Sequence, residues 1–204
     1  MENVLARERL ARAAARLNRK HAGSLPALVF LTDDERTPDP LPAVRALPRG
    51  SLVIIRARQT SRRTALVQAI ALAAGQQGLH WLVADDPELA SRTGADGVHF
   101  PEERIPEAHR WRAFRPWWLI TCAAHSLSAC AHVADAGANA ALLGPVFPTG
   151  SHPGGKALGP LRVRIIASRS PVPVYALGGI DNVTARRLDA ACLAGLAAIG
   201  ALAI

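Results

Sequence analysis

Short apolar runs alternate with longer segments of mixed polarity along almost the whole chain. Within each run, apolar side chains occupy successive positions, which is typical of a strand buried on both faces of a sheet. Most of the segments between the runs place apolar residues at helical spacing. Two of these segments are expected to be helices, one from Thr60 to Ala74, with Gly75 near its stop, and one over Val183 to Cys192. The pattern predicts eight strands, at residues 27–32, 52–56, 79–84, 95–100, 118–122, 140–143, 172–177 and 196–200.

Alternation of strands and helices indicates βα units and a parallel sheet. Eight such units in a chain of 204 residues fit a compact α/β TIM (β/α)8 barrel. The alternative is a doubly wound sheet, which would usually carry a glycine-rich turn after its first strand. Here the first run ends in Thr32-Asp33-Asp34, and no such glycine motif occurs. We therefore expect the barrel.

The two ends of the chain suggest a helix in addition to those of the barrel units. Residues 4–20 read as an amphipathic helix with an apolar stripe of Leu10, Ala13, Ala14 and Leu17. The chain stops just past the eighth predicted strand and leaves no room for an eighth helix. We hypothesise that the N-terminal helix covers the eighth strand or the bottom of the barrel. The expected organisation is an N-terminal helix at 1–22 followed by a single-domain barrel at 23–204.

Composition narrows the range of functions. The formal charge is +8, but six basic residues fall in the first twenty positions, which favours a solvated helix face over a binding site. No aromatic and basic residues interleave as in a nucleic-acid module, and no apolar run approaches membrane-spanning length. Three cysteines without a Cys-x-x-Cys pair favour a reducing compartment. We expect a cytoplasmic protein that contacts neither nucleic acid nor membrane.

Polar residues and glycines gather where the predicted strands end. In a barrel these carboxyl ends meet at one mouth, so guanidinium, imidazole, hydroxyl and glycine positions would converge there. Glycine at 178 and 179 lets backbone N–H groups approach a ligand, and the helix expected after them would favour an anion. The set suits a phosphorylated small molecule. It comprises Thr32, Asp33, Arg56, Arg58, Asp85, His99, His125, Thr149, Ser151, His152, Gly178, Gly179 and Gly200.

Several of these stretches together resemble one known family. They are Leu-Thr-Asp at 31–33, Arg56, Gly-Ala-Asp-Gly-Val-His at 94–99, His-Ser-Leu at 125–127, Gly-Pro-Val-Phe-Pro-Thr at 144–149 and Gly-Gly-Ile at 178–180. In this order the chain resembles thiamine phosphate synthase and its paralogue, the TenI-type thiazole tautomerase. The resemblance implies a barrel that binds a phosphorylated thiazole and acts in thiamine biosynthesis.

The resemblance also implies roles for individual residues. The thiazole phosphate would lie against Thr149, Gly150, Ser151, His152, Gly178, Gly179, Ile199 and Gly200. A histidine at the position of His125 is the proposed proton shuttle of the tautomerase. Arg56 and Arg58 fall where the synthase holds a pyrimidine diphosphate, and Asp85 falls on one of its magnesium ligands.

Departures from the synthase pattern cluster on its diphosphate and metal side. Arg58 and His152 replace lysines, Ala84 replaces an asparagine and Ala123 replaces a serine. Arg104 stands where a second magnesium carboxylate is expected, with Glu102 and Glu103 beside it. Because Mg²⁺ prefers carboxylate and phosphate oxygens, one aspartate beside an arginine is a poor magnesium site.

Three functions therefore stay open at the level of sequence. The first is a tautomerase with His125 as acid and base and no cofactor. The second is a magnesium-dependent synthase with a degenerate diphosphate site. The third is a protein that binds thiazole or thiamine phosphate without catalysis. The pattern favours the tautomerase, and the family's habit, together with the missing last helix, suggests a homodimer.

Overall fold

The computed structural model describes residues 2–21, 24–57, 60–149 and 156–203. Eight parallel strands pair in sequence order, and the last strand pairs with the first, so that the sheet closes into a barrel. The strands are β1 (Leu28–Leu31), β2 (Leu52–Ile55), β3 (His80–Ala84), β4 (Gly97–Phe100), β5 (Leu119–Ala124), β6 (Ala140–Leu143), β7 (Val174–Leu177) and β8 (Gly195–Ala198). The predicted TIM barrel is confirmed.

Seven helices in the described ranges surround the barrel. They are α1 (Glu2–His21), α2 (Leu41–Arg45), α3 (Thr60–Gln77), α4 (Pro87–Thr93), α5 (Ile105–Phe114), α6 (Leu127–Asp135) and α7 (Gly159–Arg169). Of these, α2 to α7 connect successive strands. Two 3-10 segments, Glu102–Arg104 and Thr184–Leu188, add to them. None of the helices in the described ranges is both long enough and apolar enough to cross a membrane.

Strand side chains divide between two apolar layers, as the two-residue period of a strand requires. In β1, Val29 and Leu31 belong to the cluster inside the barrel, whereas Leu28 and Phe30 belong to the larger cluster between barrel and helices. All four are buried. Burial on both sides explains why the strands read as continuous apolar runs in the sequence.

The N-terminal helix covers the eighth strand, as hypothesised. α1 contacts β8 and β1, and its predicted apolar stripe of Leu10, Ala13, Ala14 and Leu17 is buried. The amide Nδ2 of Asn18 donates to the carbonyl oxygen of Ala194 at 2.7 Å, immediately before β8. α1 thus shields a strand that no helix follows within the described residues.

Two predicted helices differ from the structure. α3 continues through Gly75 and ends at Gln77, because a glycine at an exposed helical position costs only about 1 kcal/mol and does not end a helix by itself. The helix expected over 183–192 is instead the short 3-10 segment Thr184–Leu188. There the side chains of Asp181 and Thr184 bond to nearby backbone groups, which favours a tight turn.

Candidate functional site

A cavity of about 710 Å³ opens at the carboxyl ends of the strands. Seven residues singled out in the sequence line it together, although they come from five different strand ends. They are Arg56, His125, Thr149, Gly178, Gly179, Ile199 and Gly200. Arg58, Gly150, Ser151 and His152 lie outside the described residues. A volume of this size suits a small organic ligand.

One wall of the cavity is formed by the loop after β6 packed tightly against the turn after β7. The backbone N–H of Phe147 donates to the carbonyl oxygen of Gly178 at 3.0 Å. A Cβ atom on Gly178 would lie 2.8 Å from the Cα of Pro145, and one on Gly179 would lie 2.8 Å from the carbonyl oxygen of Pro148. Both glycines also have positive φ, at +97° and +64°. Close approach and backbone conformation together therefore require glycine at both positions.

The same turn lines the cavity with three consecutive residues, each of which carries a backbone N–H group. The N–H groups of Gly178, Gly179 and Ile180 donate to no acceptor within the described residues. Backbone N–H groups further along the chain are already engaged, since the carboxylate of Asp181 accepts from those of Val183 and Thr184 at 2.8 and 2.7 Å. The helix expected to supply an anion site here is absent, so anion binding stays a prediction, and its available donors would belong to the glycine turn itself.

His125 lies at the rim, immediately after β5. Its side chain is 56% exposed, and its Nδ1 is hydrogen-bonded to the carbonyl oxygen of Gly144. Because a carbonyl oxygen only accepts, Nδ1 carries the proton in this contact and Nε2 is left as an acceptor. Glu102 steadies the position, since its carboxylate accepts the backbone N–H of His125 at 2.8 Å. The imidazole is therefore oriented, accessible and able to take a proton.

A pair of arginines shares one carboxylate on the opposite wall. Asp33 accepts from Arg56 and, at 3.1 Å, from Arg36. Burial alone would raise the pKa of Asp33, but the hydrogen bonds and charge of Arg36, with the charge of Arg56, hold that pKa well below its usual range. Two guanidinium groups against one carboxylate leave one positive charge on this wall for an anionic ligand.

Sequence reasoning missed two arginines that line the cavity. Arg36 follows Asp33 by three residues, and this spacing could have indicated their pairing. Arg187 lies with its guanidinium carbon 5.1 Å from the centroid of the Phe147 ring. It comes from the 3-10 segment that replaces the predicted helix, so no helical pattern pointed to it. Both add positive charge to the cavity.

His99 is buried inside the barrel and does not line the cavity. Its Nδ1 lies 2.9 Å from the hydroxyl oxygen of Thr121, and its side chain is buried. Burial, with a smaller effect of the charge on Arg56, lowers the pKa of His99 to about 4. At neutral pH the ring is uncharged.

Asp85, the suggested magnesium ligand, lies away from the cavity lining. Its carboxylate accepts from Arg104, and its backbone adopts a left-handed conformation with φ of +60°. The cap of α4 is the neighbouring Asp86, whose carboxylate accepts from the N–H of Leu89 at 2.9 Å. The described residues contain no cluster of three or more histidine, cysteine, aspartate or glutamate side chains suited to a metal. These residues do not fit a magnesium ion.

Comparisons with known proteins agree with this geometry. A family model described as thiamine monophosphate synthase matches residues 28–202. The chain is 33% identical to a thiamine-phosphate synthase of Chlorobium luteolum over 186 residues, which cover 87% of this chain and 85% of that protein. It is also 33% identical to a thiamine-phosphate synthase of Methanospirillum hungatei, over 75% of this chain and 77% of that protein.

A solved structure supports the same assignment. The thiamine phosphate pyrophosphorylase of Pyrococcus furiosus superimposes with a TM-score of 0.73 and is 26% identical in sequence, and the match covers 84% of each chain. Fold, sequence and the order of the motifs around the cavity therefore agree along most of the chain. The chain belongs to the thiamine phosphate synthase/TenI family.

Proposed function

We propose that the cavity binds a phosphorylated thiazole, with the phosphate against the turn after β7. The observation that carries this proposal is that Gly178, Gly179 and Ile180 line the cavity while their N–H groups donate to no acceptor among the described residues. Backbone N–H groups are good phosphate donors where glycine permits close approach. Arg187 and the Arg36–Asp33–Arg56 group add the positive charge that such an anion needs.

The reaction that the relatives favour is synthesis of thiamine phosphate. In that reaction the ring nitrogen of the thiazole forms a bond to the methylene carbon of a hydroxymethylpyrimidine diphosphate, the carbon–oxygen bond to the diphosphate breaks, and the diphosphate leaves. The support is that similar chains, matched over most of their length, are named thiamine-phosphate synthases. Because Asp85 is held by Arg104, we assign no step of this reaction to a magnesium ion.

A second candidate is the tautomerase, which would move a proton on a thiazole carboxylate phosphate. The observation in its favour is His125, whose protonated Nδ1 is fixed by Gly144 and whose Nε2 lies 4.0 Å from the carboxylate of Glu102. An imidazole can both take and give a proton near neutral pH, as an aromatising proton shift requires. Loss of the metal-side residues would not affect this reaction.

Two assays separate the candidates. Release of diphosphate on mixing the pyrimidine diphosphate with thiazole phosphate would support the synthase. Turnover of the thiazole carboxylate phosphate tautomer, followed by absorbance, would support the tautomerase. His125→Ala should lower tautomerase turnover by about 10²–10⁴-fold, the usual contribution of a general acid or base.

A matched control and a binding measurement complete the test. His132→Ala removes another exposed imidazole, one that lies near His125 but does not line the cavity, and should change neither activity. Calorimetric titration with thiazole phosphate measures binding independently of turnover. Binding without either reaction would support a non-catalytic binder, and absence of binding would refute the proposal. The homodimer and the cytoplasmic location stay predictions.

A further inference from the structure

Arg104 forms hydrogen bonds with acidic residues of two segments at the edge of the barrel mouth, Asp85 and Glu107. Its Nη1 donates to both the carbonyl oxygen, at 2.9 Å, and the carboxylate of Asp85, which follows β3. Its Nε and Nη2 donate to the two carboxylate oxygens of Glu107 in the first turn of α5. The guanidinium group thus bridges the loop after β3 and the helix after β4.

This arrangement uses most of the hydrogen-bonding capacity of Arg104. A guanidinium has five N–H donors in a planar fork, and a fork pairs well with two oxygens of one carboxylate. The hydrogen bonds to Glu107, and then those to Asp85, raise the pKa of Arg104, so it remains charged at any accessible pH. One permanent positive charge therefore already lies between the two carboxylates.

A second guanidinium lies on the other side of the same loop. Arg63 donates to the carbonyl oxygen of Ala84, and its Nη1 lies 3.8 Å from the carboxylate of Asp86. The Asp85 loop is therefore bordered by positive charge from α3 as well as from Arg104. A divalent cation that approached Asp85 would be repelled by both groups.

We propose that Arg104 takes the place of a divalent cation in this chain and that the site at Asp85 binds no magnesium. A metal ion bound to carboxylates from two loops would join those loops, and the guanidinium here joins them permanently. Arg104 also contacts both the carbonyl oxygen and the carboxylate of Asp85, whose backbone has a left-handed conformation. This inference concerns the metal side of the mouth, and it does not depend on which reaction the cavity supports.

Electron paramagnetic resonance of Mn²⁺ gives a direct test, because free Mn²⁺ has a strong signal that binding weakens. The wild-type chain should leave the signal of added Mn²⁺ unchanged. Arg104→Asp replaces the guanidinium by a third carboxylate near Asp85 and Glu107, and should bind about one Mn²⁺ per chain, since carboxylate oxygens are preferred ligands. Arg104→Gln removes the charge without adding a carboxylate and should bind none.

Thermal unfolding provides a second readout. R104D and R104Q should both melt below the wild type, and added Mn²⁺ or Mg²⁺ should raise the melting temperature of R104D alone. Adding Asp85→Asn to R104D should abolish that increase. Stoichiometric Mn²⁺ binding by the wild type, lost in D85N, would overturn the inference, and so would a folded R104D that binds no metal. If R104D does not fold, the wild-type titration decides alone.

A titration with thiazole phosphate distinguishes this inference from the proposed function. The dissociation constant of the wild type should be the same in Mg²⁺ and in excess EDTA. An EDTA-induced loss of affinity, together with Mn²⁺ binding, would contradict the role of Arg104. Failure to bind thiazole phosphate under either condition would count against the proposed function, while the Mn²⁺ titration would still test Arg104.

Discussion

Truncating one buried leucine of the N-terminal helix should destabilise the whole barrel. Leu17 is 1% exposed and belongs to the core cluster between α1 and the barrel. Leu17→Ala removes buried methyl groups and leaves a cavity, which typically costs about 2–5 kcal/mol. In a chain of this size a loss of about 3 kcal/mol should lower the melting temperature by roughly 6–12 °C.

The same helix supplies the control. Leu5 is 52% exposed, and alanine and leucine have similar helix propensities, so Leu5→Ala should change stability by no more than about 0.5 kcal/mol. Both variants are compared with the wild type by thermal and by urea unfolding, each followed by circular dichroism. The difference isolates the docking of α1 from its helicity. Equal melting temperatures for Leu5→Ala and Leu17→Ala would refute the role of α1 as the cover of β8.

Further predictions concern the interior and the cavity wall. Because the pKa of His99 is about 4 when folded and about 6.5 when unfolded, its stabilising effect is present above pH 6.5 and is lost as the pH falls towards 4. The wild type should lose about 2 kcal/mol more than His99→Asn between about pH 7.5 and pH 5 in urea titrations, and parallel pH profiles would contradict this. Gly179→Ala should weaken thiazole phosphate binding at least tenfold in calorimetry, because its Cβ would collide with the loop after β6. Gly179→Ala should also lower stability, because of the same collision, whereas Gly200→Ala, whose Cβ would meet nothing within 4 Å, should lower it less; an equal loss of stability in urea titrations would refute the steric argument.

The strands could be predicted because burial on both faces leaves a simple signal. β6, for example, has the predicted bounds of Ala140–Leu143, and all four of its residues are buried. The segment after Gly179 was harder to predict, because its polar residues are equally compatible with a helix cap and with a tight turn. The hydrogen bonds of Asp181 and Thr184 stabilise the turn, and the sequence alone does not indicate them.

The candidate site was partly predictable for a related reason. In a parallel barrel, the position of a residue just after a strand suffices to place it at the mouth, which is why His125, Thr149 and Gly179 lie on one cavity. Side chains that reach the cavity from a turn or a later segment, such as Arg36 and Arg187, follow no such rule. Their placement depends on Asp33 and Phe147, with which they pair.

The surroundings of Asp85 and Arg104 could not be predicted from the sequence pattern. A pattern can indicate that a carboxylate is replaced by Arg104, but it cannot say what the new side chain contacts. The structure supplies the two partners, Asp85 and Glu107, and these contacts are the basis of the proposal that Arg104 takes the place of a cation. The order of residues alone would have permitted Arg104 to point into solvent.

Both candidate reactions require that a phosphorylated thiazole binds in the cavity at the mouth of the barrel. A crystal structure of the chain with bound thiazole phosphate tests it most directly. We expect the phosphate oxygens within hydrogen-bonding distance of the N–H groups of Gly178, Gly179 or Ile180, and the ring within reach of His125. Phosphate density elsewhere on the chain, with these N–H groups facing only solvent, would contradict the account.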